Sequence, residues 1–386
     1  MSAAPKTIAY VAGWTAKKDT VFRALGAVAG NAVRLPFIGW SPRGFPDSAA
    51  RAQACFDTAK KKPASGIGRA IKYRLIWGQY NWSRRYFRRH PDRIAVCWNG
   101  LTGSRRAFME GARDAGAARV FAELAPFPGR ITLDPVGVNY LNALPRDGNF
   151  YTEWAGDEPA RIGDGWRALG STLKSRPSRR ADVGQADGAD LADQGPFLFV
   201  PLQVPDDSQI NLFAGWTGSV TGMLDALAAA ASALPDGWHI RVKEHPSAKQ
   251  AMGDALTTAI AKSNGRMRVD NQTDTFAQVA AARTVVTINS SVGLQAMFFD
   301  KPVITLGQAY FAIPGVVHPA TDADALRAAF SEIQEVTFDR DLRAAFLNYL
   351  DQVYYPTLTP TGDGTAKLPE SVKKNVIDAA IARSRL

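Results

Sequence analysis

Cysteine is nearly absent from this chain of 386 residues, which holds only Cys55 and Cys97. Two thiols cannot build a disulfide framework, and a reducing cytoplasm is the natural compartment. Histidine is almost as scarce, with four residues. Neither residue type falls at the spacing of a zinc site, so no protein-bound transition metal is expected. No apolar run reaches the roughly 18 residues of a membrane span. The opening stretch MSAAPKTIAYVAGW lacks the basic start and long apolar core of a secretory signal. The absence of a Walker phosphate loop and of a Gly-rich dinucleotide fingerprint sets aside ATPase and dehydrogenase chemistry. No helix-turn-helix, zinc-finger or aromatic single-strand-binding signature points to nucleic acid.

What is present is a globular composition, 46% hydrophobic, with a net charge of +10. The length suits two domains, and the charge favours an anionic partner. Two dense basic clusters, RRYFRRHPDR (84–93) and KSRPSRR (174–180), carry much of it. They read as a solvated basic face, or as a surface for an anionic bilayer or acidic glycan. Short apolar runs alternate with helical patterns, which is the signature of α/β architecture. Strands are expected at 7–13, 33–40, 93–100 and 119–124, with a helix over 104–116. The stretch 178–195 is rich in Gly, Asp and Ala and reads as a linker between a domain at 1–185 and one at 195–345. A helical segment, 346–386, closes the chain and can return to the N-terminal domain.

The second half alternates more cleanly. Strands are expected at 196–203, 239–244, 267–271, 284–289 and 302–307, with helices between them. In the helix over 218–234, Val220, Met223, Leu224, Leu227, Ala231 and Leu234 share one face. Right-handed crossovers would make one parallel sheet, and ligands of such sheets sit beyond the carboxyl ends of the strands. That rule sorts three His-Pro pairs. His245 follows a strand, His90 ends a basic cluster ahead of one, and His318 lies in a late loop. Three strand ends carry polar residues: Gln203, Asp206 and Asp207; Lys243 and His245; Asn289, Ser290 and Ser291. The serines would serve as ordinary helix caps and the aspartates as turn residues. Alternatively, a helix start and a histidine together suit a phosphate.

The blocks VPLQVPDDSQ, VKEHP and INSSVGLQAMFFDKPVITLG, in that order, resemble the bacterial capsule-biosynthesis family of retaining β-Kdo glycosyltransferases, similar in layout to bacterial sialyltransferases. The stretch VFAELAPFPGRITLDPVGVNY resembles that family more loosely. The resemblance implies a GT-B fold, two Rossmann-like domains facing a central cleft, with CMP-Kdo as donor and a glycan or glycolipid acceptor. It implies that His245, Ser290 and Ser291 hold the CMP phosphate without a metal or other cofactor. Gln203, Lys243 and Asn289 complete the donor site. Gln295 stands where many GT-B enzymes place a ribose-binding glutamate. Asp207 matches the family's nucleophile, Glu123 its acid/base, and Asp206 competes with Asp207. Asn99, Ser104, Arg105 and Arg130 are candidates for the sugar carboxylate or acceptor, with Arg105 and Arg106 alternatively decorating an exposed helix start. The expected setting is cytoplasmic, peripheral on the inner membrane. Transfer of sialic or another nonulosonic acid, or a non-catalytic role in capsule assembly or export, are the alternatives.

Overall fold

Apolar strand sequences bounded by turn residues build two separate sheets. The computed structural model describes residues 6–13 and 15–385. Residues 1–5, at the head of the stretch read for a signal, and Trp14 and Leu386 lie outside the described residues. The chain divides into two units, Met1–Ala143 with Asp351–Leu386, and Leu144–Leu350.

The first unit contains β1 (Lys6–Val11), β2 (Gly30–Leu35), β3 (Arg93–Trp98), β4 (Arg119–Leu124) and β5 (Ile131–Asp134), in the order β2-β1-β3-β4-β5. All neighbours are parallel except β4 and β5. Its helices are α1 (Ala16–Ala29), α2 (Ser48–Asp57), α3 (Gly66–Arg89) and α4 (Gly103–Arg113). Val21, Phe22 and Leu25 of α1 lie on one face and pack with Ile8, Tyr10, Ile94 and Val96. Val372, Val376 and Ile377 from the end of the chain join the same core. Helix α3 does not show in the sequence reading. Ser65 caps it by accepting the Gly68 amide at 3.1 Å.

The basic cluster at 84–93 is partly engaged by this fold. Arg84 pairs with Asp47 at 2.6 Å. The guanidinium groups of Arg84, Arg85 and Arg88 lie 4.3, 4.6 and 4.9 Å from the Phe45 ring centre. The fold thus holds part of the cluster in place, while Arg88 and Arg89 remain exposed.

The second unit holds β6 (Phe197–Pro201), β7 (His239–Lys243), β8 (Met267–Val269), β9 (Thr284–Thr287), β10 (Val303–Thr305) and β11 (His318–Pro319). They form a parallel sheet in the order β11-β10-β9-β6-β7-β8. All six residues of the 218–234 face lie in its core. The unit begins earlier than the 178–195 boundary. Helix α5 (Gly148–Ala155) packs on the helix Arg340–Tyr349, with the Tyr151 ring 5.0 Å from Phe346 and 5.4 Å from Tyr349. The segment read as a linker is laced to the sheet. Gly184 N donates to Asn271 O, Ala186 N to Gln272 O and Arg179 N to Pro246 O, each at 2.8 Å. Among the described residues no helix is long and apolar enough to cross a membrane.

Candidate functional site

Strands β9, β6 and β7 are neighbours, so their carboxyl ends lie side by side. Side chains stitch the first two together. Gln203 Nε2 donates to Asn289 Oδ1 at 2.8 Å, and the Asn289 amide donates back to Gln203 Oε1 at 3.2 Å. Asn289 Nδ2 donates in turn to the carbonyls of Phe213 at 2.9 Å and Gln209 at 3.2 Å. Gln203 and Asn289 therefore shape the tip, and their polar groups are already committed to the protein rather than offered to a donor.

On that scaffold Asp207 caps the short helix Ser208–Phe213, its Oδ1 accepting the Gln209 amide at 2.8 Å. The plain capping role thus holds for one oxygen, and Oδ2 makes no hydrogen bond among the described residues. Asp206 is exposed, and its carbonyl accepts from Asn211. Beyond β7, His245 Nδ1 accepts the Ser247 amide at 3.0 Å, which leaves the ring proton on Nε2. Burial first, and then the Arg176 guanidinium, push its imidazole down to about 4, while the Asp207 carboxylate pulls the other way. Arg176, His245 and Asp207 thus share one local field. With its pKa lowered, His245 offers an uncharged Nε2–H donor at pH 7 in the ligand-free protein.

The serine pair divides. Ser290 caps the helix Ser291–Ala296 by accepting the Val292 amide at 3.2 Å, and its own amide donates to Thr287 Oγ1 at 3.1 Å. Ser291 is exposed at the same tip, and Gln295 is half-buried on the next turn. Of the other His-Pro pairs, His90 ends α3 with its ring 4.9 Å from Tyr86. His318 lies on the edge strand β11, two strands away from β9.

Lys243 departs most from expectation. It is buried, and Nζ donates to the carbonyls of Gly184 and Asn271 at 2.8 Å and of Thr273 at 2.6 Å. Burial pushes it down to about 8, and all three donors are used inside the protein. Its strand alternates. Ile240 and Val242 enter the core, while His239, Arg241 and Lys243 occupy the other face under the 184–194 and 270–273 segments. Arg180, from the second basic cluster, pairs with buried Glu244 at 2.5 Å and also binds Asp182.

Buried His239, at 3% exposure, has no Nε2 partner among the described residues, and burial lowers it to about 4. Between pH 6.5 and 4 the unfolded chain takes up protons that folded His239 and His245 refuse. Stability therefore falls as pH drops through that window, by about 3 kcal/mol for His239. Urea unfolding at pH 7 and pH 4.5 measures this, and His239→Phe should flatten the slope by about half.

On the first unit, Glu123 at the end of β4 accepts Asn99 Nδ2 at 3.1 Å and its neighbour's Leu124 amide at 3.1 Å. Asn99 adopts a φ of 63°, which turns the chain after β3 toward α4. Arg105 donates to Trp98 O at 3.4 Å, and Ser104 is half-buried beside it. Arg106 reaches Ala54 O at 3.3 Å, as decoration of a helix start would. Lys18 lies 4.8 Å over the Trp98 ring. Burial, then Arg105, lower its pKa, with Glu123 opposing. Arg130 sits at the same sheet edge because β5 runs antiparallel, but its guanidinium pairs with Asp351 at 2.5 Å and donates to Tyr355 O. That cation is spent.

Residues 167–355 match the family described as "Capsule polysaccharide biosynthesis protein". The chain is 31% identical over 302 residues to "Protein FixF" of Sinorhizobium fredii, covering 75% of this chain and 70% of that one. The chain belongs to the capsule polysaccharide biosynthesis family. A second relative, the "Capsule polysaccharide modification protein LipB" of Neisseria meningitidis, is 27% identical over 148 residues, spanning 37% of this chain and 35% of LipB. In three dimensions the chain resembles Thermosulfurimonas dismutans KpsC, a β-Kdo 2,7 transferase, at TM-score 0.50 and 13% identity, covering 97% and 99% of the two chains. The fold is GT-B, with two Rossmann-like units.

The capsule-family match covers every second-unit candidate, from Gln203 to Gln295, and leaves the first-unit candidates outside it. Two groups of cations escaped the sequence reading. Arg176 was visible only as one of several arginines in a cluster. Lys18 follows β1 at the start of α1, and that position after a strand end was its one available signal. Among the described residues no group of three or more His, Cys, Asp or Glu side chains could hold a metal ion.

Proposed function

We propose that this capsule-family chain is a retaining β-Kdo glycosyltransferase that moves Kdo from CMP-Kdo to a glycan or glycolipid acceptor. The observation that carries this reading is the convergence of His245, Asp207 and Ser291 at adjoining strand ends of one sheet, with Arg176 beside the histidine. His245 Nε2–H, the Ser291 hydroxyl and Arg176 would meet the phosphate of CMP and stabilise it as it leaves. Asp207 Oδ2 would attack the anomeric carbon as the bond to the CMP oxygen breaks, giving a glycosyl-enzyme and free CMP. Attack by the acceptor hydroxyl then releases Asp207, and the second inversion restores the configuration. The hydroxyl proton passes to a general base, a role that the family resemblance offers to Glu123, and the same resemblance offers Arg105 as a planar cation for a sugar carboxylate. Charge on the leaving phosphate is met by side chains, so the transfer needs no divalent ion.

Incubation with CMP-Kdo and a synthetic acceptor should release CMP at a rate that excess EDTA changes by less than about twofold. Release from CMP-sialic acid alone would reassign the donor. An absence of binding to either CMP-sugar would leave a non-catalytic role in capsule assembly.

A further inference from the structure

Helix α3 buries Ile76, Tyr80 and Phe87 but leaves a second apolar stripe uncovered. Ile67, Ile71 and Leu75 recur every four residues, and they are 78%, 65% and 46% exposed. Trp40, 50% exposed, donates through Nε1 to Arg74 O at 3.1 Å, which seats its ring against the same helix. Phe37, on the loop leading to Trp40, is 72% exposed.

Charge around this stripe is of one sign. From Thr58 to Pro91 the sequence has ten Lys and Arg and no Asp or Glu. Three of the ten, Arg84, Arg85 and Arg88, are folded onto Phe45 at the far end of the helix. Lys60, Lys61, Lys62, Arg69 and Arg74, around the apolar stripe, are exposed. A second copy of the chain would bring two such cationic faces together and be repelled. Nucleic acid has no use for a ridge of Ile and Leu. An apolar ridge rimmed by flexible lysines and arginines fits an anionic bilayer, where the ridge enters the headgroup boundary and the cations meet lipid phosphates.

We propose that the face formed by Ile67, Ile71, Leu75 and Trp40, with Lys60–Lys62 at its edge, docks this protein on an anionic phospholipid membrane. The proposal goes beyond the transferase reading and does not depend on which sugar is moved. It also places the attachment on a different surface from the two clusters that stand out in the sequence, in which Arg84 and Arg180 are ion-paired.

The test uses the full chain and vesicles of phosphatidylcholine, with or without about 30% phosphatidylglycerol. Co-sedimentation should require phosphatidylglycerol and weaken as NaCl rises from about 0.1 to about 0.5 M. The combined Ile67→Ser, Ile71→Ser and Leu75→Ser variant should lose at least about tenfold in partitioning with an unchanged thermal melt. Independently, Ile71→Cys carrying an environment-sensitive dye should shift to the blue on anionic vesicles, the native Cys55 and Cys97 being buried. Equal partitioning of the wild type and the triple variant, or no dye shift, overturns the proposal. So does a wild-type dimer that the triple variant converts to monomer, which would make the face an interface between copies.

Discussion

Asp207→Asn should lower the rate of transfer at least about a thousandfold while leaving CMP affinity within about threefold. Asparagine is chosen because it caps helices as well as aspartate and keeps an acceptor for the Gln209 amide. The substitution therefore removes the nucleophilic oxygen without unravelling the helix Ser208–Phe213. Alanine would remove the cap as well, costing about 1 kcal/mol locally and confusing the two effects. His245→Ala should show the complementary pattern, with weaker CMP binding, because Nε2–H faces the leaving phosphate in the proposed scheme. Asp206→Asn should keep most of the rate, since Asp206 is exposed and Asp207 is the carboxylate whose charge reaches His245. An active Asp207→Asn with an inert Asp206→Asn would move the nucleophile by one residue. Full activity in both would remove double displacement at this strand end.

The second sheet was legible because its strands are short apolar runs cut off by polar or turn residues, and its main helix keeps a 3.6-residue period from Val220 to Leu234. Helix α3 was not, because it is amphipathic twice over. Ile76, Tyr80 and Phe87 face inward while Ile67, Ile71 and Leu75 face out, and ten cations in the region blur any single stripe. The 178–195 segment looked like a tether because composition reports on side chains. Its order comes from backbone bonds to residues about 90 positions away, such as Ala186 to Gln272. The same limit governs the candidate site. Gln203 and Asn289, at |i−j| of 86, read as two polar strand ends, and nothing local says that they bind each other. His245, Asp207 and Ser291 read in the same way, and in the fold the first two are half-buried and the third exposed at the strand tips.

Lys243→Met should cost about 2–4 kcal/mol of folding stability, the largest single effect expected from a residue first read as a donor ligand. Methionine keeps the length and packing of the stem, so the loss is confined to three charge-assisted hydrogen bonds. The acceptors differ in what remains to them. Thr273 O still receives Gln278 Nε2 at 3.1 Å and Asn271 O still receives the Gly184 amide, whereas Gly184 O loses the donor that ties it down. Relief of the buried charge offsets part of the loss, which keeps the figure below that for three orphaned carbonyls. Urea unfolding should show a lower midpoint at unchanged slope. Trypsin should cut faster at Arg179 and Arg180, because the 178–186 lacing depends on the pinned 184 carbonyl. CMP affinity should fall too, since Arg176 and the turn at Pro246 are held by the same segment through Gln185 Nε2 and the Arg179 amide. A variant as stable as the wild type, with unchanged proteolysis, would show that the buried ammonium is not what fastens this segment to the sheet.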